Sequence, residues 1–214
     1  METLKMKPHG MCGRLITFCG LDGCGKSAMI RRLSAYLSAK GADVVHTKEP
    51  SDNIRQMASF RAFTDTPEHE KYAYRAISLM AAADRVQHAH ETVIPALRMG
   101  KTVISDRYFY SCLANLRARG YTRDRWIYEV SESIVRPNLA FFLDVPVPLA
   151  IARVRARPEE KERYIDPILQ YRLQEAYREI CRENGGILIS SVGTEEETFA
   201  AVIAAWKGSD CCDE

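Results

Sequence analysis

The chain has 214 residues, and 30 Lys and Arg against 28 Asp and Glu leave a formal charge of +2. That length, with 46% apolar residues, suits one globular domain and excludes a disordered, fibrous or low-complexity chain. A near-zero charge gives no broad basic surface for nucleic acid, and no apolar run reaches the ~20 residues that cross a bilayer, so neither nucleic acid nor membrane is an expected partner.

Taken in chain order, Arg14 to Cys19 reads as a short strand, followed by a glycine-rich turn and a helix from Lys26 to about Ala39, which Gly41 ends. Asp43 to Thr47 is a second strand, broken by Glu49-Pro50. A short helix is expected over Asp52 to Phe63. Thr66-Pro67-Glu68 opens a long helix from about Glu70 to Met99, with Pro95 kinking its last turn. Thr102 to Ser105 and Leu139 to Val145 are the third and fourth strands, with a helix over Asp124 to Val135 between them. A helix follows Pro146 to about Arg157. Asp166-Pro167 opens another, which Asn184-Gly185-Gly186 ends near Glu183. Ile187 to Ser190 is the fifth strand, and Glu195 to Trp206 a closing helix.

Strands that alternate with helices imply βαβ units and a parallel sheet, and their apolar runs fit a sheet covered on both faces. The expected fold class is α/β, with ligands at the carboxyl ends of the strands. Residues 1–13 are read as an N-terminal tail, 14–207 as the domain and 208–214 as a C-terminal tail. Met1 to Gly13 holds Lys5 and Lys7 but no apolar stretch, so no secretory signal is expected. Seven irregularly spaced cysteines suggest neither a zinc site nor a disulfide framework; reduced thiols in the cytoplasm are the expectation. The Cys211-Cys212 pair falls in a polar tail.

Gly20-Leu-Asp-Gly-Cys-Gly25-Lys26-Ser27 matches G-x-x-x-x-G-K-[ST], directly after a strand and before a helix. Glycines there let backbone N–H groups converge on a phosphate, and the helix N-terminus adds partial positive charge. Lys26 supplies a point charge to the β- and γ-phosphates, and Ser27 can ligate Mg²⁺. Phosphate binding alone fits a GTPase, an ATPase or a kinase, but the guanine-reading N-K-x-D is absent. Arginines stand at strand ends and helix faces instead: Arg55 after the second strand, Asp84-Arg85 on the long helix, Asp106-Arg107 after the third strand, and Arg153, Arg155, Arg157 and Arg163 together. Phosphoryl transfer between two nucleotides needs several cations aimed at one point. A helix-face arginine is more often a solvated ion-pair partner; Arg107, beside an acid at a strand end, is less easily read so.

Four blocks, FCGLDGCGKSAMI at 18–30, AAADRVQH at 81–88, VISDRYFYS at 103–111 and PNLAFFLDVPVPLAIARVRAR at 137–157, resemble the thymidylate kinases. The resemblance implies a single P-loop NTPase-type domain, a five-stranded parallel sheet sandwiched by helices, a mobile lid (about 153–165), a homodimer, and synthesis of dTDP from dTMP and MgATP. It implies that Gly20, Asp22, Gly23, Cys24, Gly25, Lys26, Ser27 and Ala28 hold ATP, with Arg153 on the same side and Mg²⁺ at Ser27 and Asp106. Asp22, Glu49, Arg55, Arg85, Arg107 and Asn115 are the implied acceptor residues, and Lys26, Asp106, Arg107, Arg163 and Arg157 the catalytic ones. Some members carry a basic residue in the phosphate loop where this chain has Gly23, and others place arginines in the lid, which points to Arg163 and then Arg157. Three features depart from the family pattern: Ala81 replaces the usual Phe that stacks on the base, with Met80, Tyr72 or Tyr74 as substitutes; Ala114-Asn115-Leu116 replaces A-Y-Q; and the loop after Glu49-Pro50 is shorter than the usual glycine-rich version and reads Ser51-Asp52-Asn53. They leave open a kinase for another or modified (deoxy)nucleotide, or an ATP-binding regulator without turnover. Cys24, beside a helix N-terminus, is either a stabilised thiolate or an inert small residue.

Overall fold

The structure is a computed structural model and describes residues 3–65 and 71–210. The expected helix start at Thr66-Pro67-Glu68 and the Cys211-Cys212 pair lie outside the described residues. Strand β1 (Arg14–Cys19) leads through the phosphate loop to α1 (Lys26–Ser38). There follow β2 (Val44–Lys48), α2 (Asp52–Arg55), α3 (Ala58–Asp65), α4 (Tyr74–His88), α5 (Ile94–Arg98), β3 (Thr102–Asp106) and α6 (Tyr110–Ala118). The chain continues with α7 (Trp126–Ser131), β4 (Leu139–Asp144), α8 (Val147–Arg155), α9 (Pro167–Glu183), β5 (Ile187–Ser190) and α10 (Glu195–Asp210).

The five strands are parallel, in the order β2-β3-β1-β4-β5. β1, β3 and β4 are almost wholly buried, as apolar strands covered on both faces must be, while the edge strands β2 and β5 are half-exposed. The strand order reverses at β1, so the crevice opens at its carboxyl end. Pairing Phe18 with Asp106 brings the end of β3 beside the phosphate loop. Beneath it, Phe18 stacks on Phe141 at 5.0 Å, with Tyr110, Phe142 and Tyr177 adjoining.

Several expected elements differ. The stretch over Asp52 to Phe63 is two helices, α2 and α3. The long helix widens to a π turn at Ala89–Val93 before Pro95; proline has no N–H for the fourth carbonyl behind it and its ring crowds that carbonyl, so the ladder loosens there. The Asp124 to Val135 helix is only Trp126–Ser131. Helix α6 was not expected: Tyr110, Cys112, Leu113, Ala114, Leu116 and Ala118 are buried around most of its circumference, so it has no polar face to give a 3.6-residue rhythm. The N-terminal segment packs on the body, with Leu4 and Met6 in the core and Lys7 bridged to Val135. Among the described residues no helix is long and apolar enough to cross a membrane.

Candidate active site

The phosphate loop turns sharply between β1 and α1. Lys26 is buried and donates to the carbonyls of Gly20 at 3.1 Å and Leu21 at 2.7 Å. Gly23 has φ +82°, and a Cβ there would collide with the Ala150 carbonyl oxygen of α8. Only glycine suits that backbone and that contact, so the position where some relatives are expected to carry a cation has no room for a side chain.

Asp22 is the electrostatic hub. Its Oδ1 lies 2.5 Å from the Arg107 guanidinium and its Oδ2 3.0 Å from that of Arg163. Burial alone pushes its pKa up, but Arg107, Lys26 and Arg163 outweigh that and hold the carboxyl well below the usual carboxylate range. Arg163 also pairs with Glu160 at 2.9 Å. Arg107 has φ +68°, a strained conformation for a residue with a side chain. Its N–H donates to the Phe18 carbonyl at 2.8 Å and its carbonyl accepts from Ser105 Oγ at 2.7 Å, which hold the turn. Its guanidinium also donates to Gly20 O and to Tyr177 Oη, and Tyr177 in turn donates to Ser111.

A cavity of about 650 Å³ spans this region. Asp22, Gly23, Gly25, Lys26, Ser27, Arg55, Arg85, Asp106, Arg107, Asn115, Arg157 and Arg163 all line it, so the phosphate loop, three strand ends and the 153–165 stretch converge on one space. Arg55 donates to the Pro50 carbonyl at 2.7 Å. Burial, and then the neighbouring Arg107 and Arg85, push its pKa down, the mark of positive charge not fully compensated by acids. Such a surplus suits an anion.

Five expected residues do not line the cavity. The Gly20 carbonyl serves Lys26 and Arg107 instead. Cys24 is buried behind the loop, which favours the inert reading of its thiol, and Ala28 lies one turn into α1. Arg153 donates to the Ser191 carbonyl at 2.9 Å, away from the cavity. Glu49 is fully buried; it pairs with Arg85 at 3.1 Å and His88 at 3.3 Å, and burial pushes its carboxyl up. It braces Arg85 from behind. Asp84 binds the Ser51 N–H at 2.7 Å and the Ser51 hydroxyl, fixing the loop before Arg55.

Sequence reasoning missed Lys48, Phe63, Arg119 and Tyr177 on the cavity wall. Arg119 stands four residues after Asn115, on the same helical face, a spacing that would have exposed it had α6 been recognised. Of the expected substitutes for an aromatic at Ala81, Tyr74 lines the cavity, together with Phe63, whereas Tyr72 and Met80 do not.

A sequence profile of the thymidylate kinase family matches residues 18–203. The chain belongs to the thymidylate kinase family. Among similar proteins, a probable thymidylate kinase of Thermococcus onnurineus is 37% identical over 86% of this chain and 93% of its own length. One of Pyrococcus abyssi is 32% identical over 92% and 97%. A thymidylate kinase of Geobacillus is 32% identical over 91% and 96%. In this member a side chain at Gly23 would collide with Ala150, and Arg163 of the 153–165 stretch pairs with Asp22 of the loop.

Proposed function

We propose that this chain transfers the γ-phosphoryl group of ATP to dTMP, giving dTDP and ADP. The observation that carries this reading is the convergence of the phosphate loop with Arg55, Arg85, Arg107 and Arg163 on one cavity. In this reading the loop amides and Lys26 hold the donor phosphates, and Arg55 and Arg107 take the acceptor phosphate. The acceptor oxygen attacks the γ-phosphorus in line, the bond to the β–γ bridging oxygen breaks, and ADP leaves. No covalent enzyme intermediate is needed. In this reading the 153–165 lid closes over the donor and excludes water, and Arg163, paired with Asp22 of the loop at 3.0 Å, turns its charge to the transferring group.

Ser27 and Asp106 both line the cavity, and Asp106 Oδ1 is buried without a hydrogen-bond partner among the described residues. An unmet hard oxygen beside a serine hydroxyl fits a magnesium ion, which takes few protein ligands and completes its shell with water and phosphates. Bound there, Mg²⁺ would neutralise developing charge on the transferring phosphates. Arg85, braced by Glu49, is assigned to the acceptor base.

Ala81 favours a second reading, a kinase of the same mechanism for a bulkier or modified base, because a small side chain widens the base end. A coupled ADP-release assay across the common nucleoside monophosphates tests both. Turnover with dTMP is expected; turnover with another nucleotide but not dTMP would replace the acceptor and keep the reaction. We place the enzyme in the cytoplasm, which its free thiols at Cys12, Cys19, Cys24, Cys112 and Cys181 suit. We also propose a homodimer, formed through the Ala76, Leu79 and Ala83 stripe of α4, where Leu79 is 47% exposed; L79D would then yield a monomer in light scattering.

A further inference from the structure

We infer that Arg119 is a specificity residue for the acceptor base, donating to an exocyclic carbonyl oxygen and so favouring dioxopyrimidines over bases that present an amino group there. This rests on the proposed function and deepens it. Arg119 sits at the end of α6, one turn beyond Asn115, and lines the cavity. Its guanidinium lies 4.7 Å from the ring centre of Tyr74 and 5.1 Å from that of Phe63, so two aromatic faces fix its plane. Tyr74, Arg119 and Arg85 all line the cavity, and Arg119 packs on the Tyr74 ring.

The two arginines differ in one respect. Arg85 is paired with Glu49. Among the described residues no carboxylate pairs with Arg119; the Nε atoms of both arginines are buried without a hydrogen-bond partner. A guanidinium on the cavity wall with no carboxylate partner can take a ligand oxygen as its acceptor. A guanidinium only donates, so an amino group placed there meets donor against donor.

The test compares the wild type with R119M, which keeps the packing bulk, and R119K, which keeps charge but loses the planar fork. Steady-state kinetics use dTMP, dUMP and dCMP at saturating ATP, and calorimetry measures dTMP binding. R119M is expected to raise KM and Kd for dTMP by about tenfold, as loss of one charge-assisted hydrogen bond does. It should leave kcat and the KM for ATP unchanged and shrink the preference for dTMP over dCMP. R119K should recover dTMP binding only in part. Equal losses with all three acceptors, or a lowered Tm with lowered kcat, would show that Arg119 merely braces the rings. Unchanged dTMP binding in R119M would overturn the assignment even if the enzyme is a dTMP kinase. A wild type that turns over dCMP and not dTMP would overturn this inference and the proposed acceptor together. If the wild type turns over no monophosphate, the proposed reaction falls alone, and the calorimetry still decides Arg119.

Discussion

Asp22 and Arg163 are 141 positions apart in sequence and in contact in space: the carboxylate of the phosphate loop holds the Arg163 guanidinium at 3.0 Å. The loop has no room for a cation at Gly23, and the guanidinium paired with it comes from outside the loop. Arg163 is 45% exposed, so its contribution to folding is small, and its assigned role is in the reaction.

Replacing Arg163 with alanine should lower kcat by about a hundredfold or more while changing the KM for ATP little, because its charge acts on the transferring group. Steady-state kinetics with varied ATP check this. An equal effect on both constants would make Arg163 a ground-state ATP ligand.

Arg55 stands among like charges. R55M removes its hydrogen bond to Pro50, worth about 1 kcal/mol, and also relieves the repulsion from Arg107 and Arg85. We expect a Tm near that of the wild type and a KM for dTMP raised about tenfold or more, the loss of one charge-assisted phosphate contact. Inorganic phosphate should raise the Tm of the wild type and do so less in R55M. A variant that unfolds early without a change in KM would make Arg55 structural.

Asp22 gives a pH test. Its folded-state pKa lies below the unfolded value of ~3.9. Its contribution to stability is thus fully present above that value and is lost as pH falls through the folded-state pKa. Urea midpoints of the wild type and D22N should differ most at neutral pH and begin to converge below about pH 4. A gap that stays constant down the acid range would contradict the ion-pair account.

The thiols give a chemical test. Cys12 is exposed, whereas Cys19, Cys24, Cys112 and Cys181 are buried, and burial pushes the Cys19 thiol up to about 12. Iodoacetamide on the native protein, followed by peptide mapping, should label Cys12 and spare Cys24 with or without ATP. ATP-sensitive labelling of Cys24 would restore it as a reactive thiolate.

Much of this was legible in the sequence where a local rule dictates the outcome. A glycine-rich turn between a strand and a helix has one common structural meaning, and Asp166-Pro167 caps α9 as its residue types require, with Asp166 accepting from Ile168 and Leu169. Arg55, Arg85 and Arg107 could be found because each follows a strand or stands on a helix legible in the sequence. What stayed hidden depended on burial. Helix α6 carries too few polar residues to show a period, and Arg119 was lost with it. Glu49 was expected on the acceptor, because a sequence does not reveal that a carboxylate beside a proline turns inward to Arg85 and His88.

The contact between Gly23 and Ala150 restricts how this enzyme could evolve. A family that can place its cation in the loop or in the lid has two solutions, but the path between them is not one substitution long in this chain. An arginine at position 23 would first have to force α8 away from the loop, and α8 leads directly into the segment that bears Arg163. The new cation would arrive as the old one was displaced.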